Sequence, residues 1–161
     1  MTYAEGEEVT VTGIVRADDT IAAPLTGEYC IVHVTHARVW DHLDIGGNLV
    51  EEILVGRLYP FVLETGGEPI LVSADAFSVD IRRIDVFPPY YDAEALLRTR
   101  GLERYLGSTF FDHVLIRAGE QVTVKGVVAR DVDTGGEHGY RDTAVRTRLV
   151  GYAGHPLTIT R

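Results

Sequence analysis

Three histidines, His33, His36 and His42, fall close together in the chain, and neighbouring imidazoles are the first place to look for a metal site. On an extended strand, however, His33 and His36 are an odd number of residues apart, so they project to opposite faces and do not share an ion. A structural or surface role follows for them, with no metal and no other cofactor. Asp75, Asp80 and Asp85 recur at an odd spacing that divides them between faces in the same way, and Arg82 and Arg83 beside them offer ordinary ion-pair partners. Ser73, Ser78 and Ser108 lack the Gly-x-Ser-x-Gly setting of a nucleophile elbow, and no phosphate loop ending in Gly-Lys occurs. Gly135-Gly136 has no strand-to-helix context and reads as relief for a turn. No catalytic residue is assigned, and the chain is read as a non-enzyme.

The aromatic residues carry more promise. Trp40, Tyr59, Phe61, Phe87, Tyr90, Tyr91, Phe110 and Phe111 stand beside the ends of the expected strands and a helical insertion. There they line a groove or form the seam that fastens helix to sheet. Trp40, Tyr59, Tyr90 and Tyr91 are the candidate binding residues. Tyr90-Tyr91, held behind Pro88-Pro89, are the hardest to bury and suit a protein contact. A local basic strip, Tyr140 and Arg141 with Arg146 and Arg148, is the alternative candidate, for phosphate.

Composition narrows the choice of partner. The 161 residues fit one domain, 1–161, with a sizeable core. Against 15 basic residues stand 24 acidic ones, and the resulting charge of −9 opposes a polyanionic ligand, so nucleic acid is disfavoured. The one cysteine, Cys30, lies in the apolar run Tyr29-Cys30-Ile31-Val32; it excludes a cysteine-rich zinc module and reads as a small buried hydrophobe. Residues 1–8 lack the features of a signal peptide, and no apolar run reaches the length of a membrane span. The chain is expected in the cytoplasm, beside a membrane only through a partner.

The elements that must position these residues are strands. Gly6-Glu7-Glu8-Val9-Thr10-Val11-Thr12-Gly13-Ile14-Val15 returns as Gly119-Glu120-Gln121-Val122-Thr123-Val124-Lys125-Gly126-Val127-Val128, identical at seven of ten positions. Valines alternate with threonines, placing each type on its own face, and the internal glycine predicts a bulge or bend where a sheet curls towards a barrel. The text after the two copies diverges at once. The copies are therefore expected as two strands of one sheet, side by side, rather than as a duplicated unit. Further strands are expected over residues 29–40, 53–63 and 77–86, with a Gly66-Gly67 hairpin between Leu63 and Ile70, then over 110–116, 143–152 and 157–160. The period turns helical only over about residues 92–106, capped by Asp92 and broken by Gly101. The fold class is mainly β: an OB-like antiparallel barrel with one short helical insertion.

Several phrases in order resemble the GIDE domain, the membrane-adjacent domain of mitochondrial membrane-anchored ubiquitin ligases. They are Ala23-Pro24-Leu25-Thr26-Gly27 before Cys30, Pro60-Phe61-Val62-Leu63-Glu64 with Ile70-Leu71-Val72, Phe111 to Leu115 running into the second repeat, and His155-Pro156-Leu157-Thr158-Ile159-Thr160. The resemblance implies a stand-alone, bacterial-type relative that recognises proteins or peptides, in a membrane-stress or defence setting. The ligases' transmembrane helices and cysteine-rich RING have no counterpart here, so ligase activity is not implied. Three functions are thus weighed: a non-catalytic protein- or peptide-binding module, which also admits a homodimer; an OB-type binder of single-stranded nucleic acid; and an enzyme whose site is assembled from distant residues.

Overall fold

The computed structural model describes residues 3–41, 47–80, 92–132 and 145–161. In chain order its elements are β1 (Glu8–Arg16), β2 (Ile21–Ala22), β3 (Tyr29–Cys30), β4 (Val32–Trp40), β5 (Leu49–Leu58), β6 (Phe61–Glu64), β7 (Ile70–Ala74), β8 (Phe77–Val79), α1 (Ala93–Arg98), a 3-10 helix (Glu103–Ser108), β9 (Thr109–Ile116), β10 (Gln121–Val132), β11 (Val145–Gly151) and β12 (Leu157–Thr160). They fall into two compact units. Residues 1–19, 58–80 and 118–161 form one, and residues 20–57 and 81–117, entering as two insertions into it, form the other.

The first unit is a barrel. Its strands run β1-β6-β7-β11-β10, and β10 pairs back to β1, so five strands close on themselves. Numbered within the barrel, this is the order first, second, third, fifth, fourth, a Greek-key closure of the OB type. The β7–β11 pair is parallel and the other four are antiparallel. The long β10 makes closure possible. One of its edges takes β1 along Gln121 to Val127, while the other takes β12 at Thr123 to Lys125 and then β11 from Val127 onward. Beyond β12, β8 adds in parallel.

The repeated phrase is the seam of this barrel. Its two copies pair with each other, antiparallel, from Glu8 opposite Val127 to Ile14 opposite Gln121. Val11 lies opposite Val124, the same place in both copies, so the ribbon is symmetric about a local two-fold axis there. Its outermost bonds repeat accordingly: Gly6 N–H donates to Val128 O and Gly119 N–H to Val15 O, both at 2.8 Å. Val9, Val11, Val15, Val122, Val124 and Val128 are buried, and Thr12 meets Thr123 on the other face through their hydroxyls at 2.8 Å.

The glycines do something other than the bulge expected of them. The ladder keeps one register through both, so the ribbon is continuous at Gly13 and Gly126. Each is instead where a third strand comes close. A Cβ on Gly13 would stand 2.5 Å from Glu64 O of β6, and one on Gly126 would stand 3.2 Å from Val150 O of β11. Absence of a side chain at these places lets the third strand approach.

Sequence and structure also part at Pro60. The expected strand over 53–63 is interrupted at Tyr59-Pro60, because proline has no N–H to give a ladder, just after the chain passes from the second unit into the barrel unit between Arg57 and Leu58.

In the second unit the sheet order is β5-β4-β9, with the β2–β3 pair apart from it. The helical insertion consists of two short helices. At Gly101, φ is +67°, a left-handed turn that ends the first before the second begins. Asp92 occupies the N-cap position of α1, but its side chain makes no capping bond. Ala93, Leu97 and Leu102 pack with Leu25, Ala37, Val39, Ile53 and Phe111 into one buried cluster.

Candidate functional site

The helix-covered face of the three-stranded sheet is fixed by alternation. Ala37 and Val39 of β4, Phe111 of β9 and Ile53 of β5 point into the cluster beneath the helices, so the residues between them point the other way. That other face carries His36, Arg38 and Trp40 of β4, Phe110 and Asp112 of β9, and Val50, Glu52 and Leu54 of β5. His36 Nε2 lies 2.7 Å from Glu52 Oε1 across β4 and β5, and Arg38 Nη2 lies 3.5 Å from Asp112 Oδ2 across β4 and β9. Around these polar contacts, Leu54 is 65% exposed, Phe110 51% and Val50 42%. Large apolar groups among cross-strand polar pairs make a surface able to take a partner's apolar side chains.

The same alternation settles the histidines. His33 lies on the helix side of β4, buried, and His36 on the outward side, so the two imidazoles face apart. His113 of β9 is buried as well, directly opposite Thr35. Neither His33 Nδ1 nor Thr35 Oγ1 makes a hydrogen bond. Burial, with Arg57 and His113 nearby, pushes the His33 imidazole down to about 4, so it is neutral at neutral pH. Among the described residues no group of three or more His, Cys, Asp or Glu is placed to hold a metal ion; His42 lies outside them. Burial likewise pushes the Cys30 thiol up to about 11, and its Sγ donates to Ile21 O at 3.5 Å. A thiol so disposed packs and does not attack.

Of the aromatic candidates, Trp40 is half-buried at the end of β4 on the outward face, and its carbonyl accepts the Ser108 hydroxyl. Tyr59 is half-buried in the barrel unit, at the break before Pro60. Tyr90 and Tyr91 lie outside the described residues, as do Tyr140 and Arg141 of the basic strip. Arg146 and Arg148 stand on the outward side of β11, and Arg148 Nε donates to the buried Ser73 hydroxyl at 2.8 Å. A groove of about 440 Å³ on the barrel is lined by the hydroxyl residues Tyr3, Thr10, Thr12, Thr65 and Thr147 and by Glu68.

Sequence reasoning named Trp40 but missed Leu54, Val50 and the His36–Glu52 pair. A signal for them existed. Leu49-Val50-Glu51-Glu52-Ile53-Leu54-Val55 is apolar at both odd and even positions, which a strand with one solvated face does not require. The adjacent Phe110 and Phe111 were grouped together, yet a strand must send them to opposite faces. Among the described residues, no helix is long and apolar enough to cross a membrane. Compared with protein-family models, with curated proteins and with solved structures, the chain matches none.

Proposed function

We propose that this chain is a non-catalytic binding module that takes a protein or peptide segment on the outward face of its three-stranded sheet. The observation that carries the reading is the exposure of Phe110 and Leu54, 51% and 65%, on a face ordered by the His36–Glu52 and Arg38–Asp112 pairs. Leaving such groups in water costs free energy that a partner recovers by covering them. The reading keeps the recognition role that the GIDE resemblance implies. A protein ligand is favoured over a nucleic acid because the chain carries a charge of −9 and three of the barrel's cations are engaged by acids: Arg16 with Glu64 at 3.0 Å, Lys125 with Glu8 at 2.8 Å and Arg161 with Glu120 at 3.5 Å.

Trp40, the single tryptophan, sits on this face and reports its occupancy directly. Peptides selected by display against the full chain shift Trp40 emission, and Phe110→Asp weakens them by about tenfold or more. Selected peptides that leave the emission unchanged and bind Phe110→Asp like the wild type would overturn the reading. Tight, salt-sensitive binding of a single-stranded oligonucleotide would replace it with the OB-type nucleic-acid function.

A further inference from the structure

The outer edge of β5 stands apart from the face just described. β5 is a terminal strand of its sheet, ten residues long, and among the described residues no strand pairs with its second edge. Natural proteins guard such edges with brevity, proline or charged side chains, because the unpaired N–H and C=O groups template another strand. β5 is long and has no proline within its length, its charges Glu51, Glu52 and Arg57 include both signs, and its apolar side chains point to both faces.

Its sequence is also self-complementary in one register. When two copies of a strand pair antiparallel and extend one sheet with matching faces, positions directly opposite must both be odd or both even. The two-fold axis therefore passes at a residue, and each choice of residue fixes every other pair. Centred on Leu54, the register sets Leu54 against Leu54, Ile53 against Val55, Glu52 against Gly56 and Glu51 against Arg57, the last pair twice by symmetry. Centred on Glu52, it opposes two like charges; on Ile53, it sets Glu51 against Val55 and Glu52 against Leu54; on Val55, it sets Arg57 against Ile53. Only the Leu54 register joins apolar to apolar and acid to base.

The side chains at its two ends are already placed. Glu51 is held by Arg100 Nη1 at 2.8 Å, which fixes the carboxylate beside the edge. Arg57 is exposed and makes no ion pair among the described residues. A second copy supplies the carboxylate that Arg57 lacks, and covers Leu54. We propose that two copies of this chain associate edge to edge through β5, antiparallel about a two-fold axis at Leu54, joining two three-stranded sheets into one of six strands. The proposal uses the strand edge rather than the sheet face, and stands whether or not the face binds a peptide.

The test uses the full chain in solution. Sedimentation should show a concentration-dependent species of twice the 17.7 kDa chain mass. Leu54→Cys should form an intermolecular disulfide under mild oxidation, because directly opposed strand residues lie within disulfide reach and the native Cys30 is buried. Glu51→Arg alone sets like charges opposite Arg57, and Arg57→Glu alone sets them opposite Glu51; each should weaken the dimer by about tenfold or more. An equimolar mixture of these two variants pairs opposite charges at both ends and should restore the dimer, a rescue that misfolded chains would not show. A monomer at every concentration with no Leu54→Cys crosslink would overturn the proposal and leave the edge to an extended peptide from another protein. Undiminished dimerisation of the single variants, or open-ended assembly, would overturn it equally.

Discussion

The barrel and the three-stranded sheet handle the same problem in opposite ways. In the barrel, β10 is long enough to serve three partners, so β1 and β11 are joined through it and the five-strand ring closes. Closure gives its apolar side chains an inside to go to, and six of the seven valines of the repeat are buried there, Val127 alone standing half-buried on the outer side. The three-stranded sheet does not close. Helices cover one face, while the other keeps Phe110, Leu54 and Val50 exposed, and among the described residues β5 ends it with an unpaired edge. A strand sequence that is apolar on one side only suits a closed architecture; one that is apolar on both sides, at an open edge, is fitted to meet something else.

The sharpest way to break this contrast is within a single dipeptide of β9. Phe111 is buried under the helices, and Phe111→Ala should cost about 4 kcal/mol in urea unfolding. A cost below about 1 kcal/mol would mean the helix-covered face is not the core of its unit. Next in size is the response to acid. The folded value of His33 near 4 lies below its value of about 6.5 in the unfolded chain, so as pH falls the unfolded chain binds the proton first. Stability from this group is present above pH 6.5, drops by up to about 3 kcal/mol on the way down to pH 4, and changes no further below. His33→Leu should flatten that part of the profile, and an unchanged slope would show the burial to be ineffective.

Smaller effects sharpen the barrel side. Gly13→Ala forces a methyl against the Glu64 carbonyl, and should cost about 2–3 kcal/mol; Gly126→Ala, with more room, should cost about 1 kcal/mol. Equal costs would mean that closure on the β6 side is no tighter than on the β11 side. The smallest effect is the most telling for function: Phe110→Ala should change stability by no more than about 0.5 kcal/mol, while removing peptide binding. A large loss of stability there would make the outward face part of a core.

Much of the barrel was legible beforehand. The Val/Thr alternation of the repeat told inside from outside, and the likeness of the two copies anticipated their pairing. The Gly66-Gly67 link did yield the β6–β7 hairpin, and Gly101 did divide the helical insertion. The role of Gly13 was not legible, because a glycine that admits a neighbouring backbone and one that forms a bulge look alike in sequence. Nor was the site. Trp40 was picked as an aromatic beside a strand end, Phe110 was grouped with the buried Phe111, and Leu54 was not singled out at all, since exposure depends on which face the helices cover.

The sequence by itself determined the class of element, the side of each strand that turns inward along the repeat, and an acidic surface poorly suited to polyanions. Those properties are local or additive, set by period two and by a count of charges. Tertiary structure alone decided that the repeat closes a ring, that the chain passes from one unit to the other between Arg57 and Leu58, and that among the described residues one sheet keeps an exposed face and an unpaired edge. Each depends on residues far apart in the chain meeting or failing to meet, and no local pattern records which strand a given edge will find.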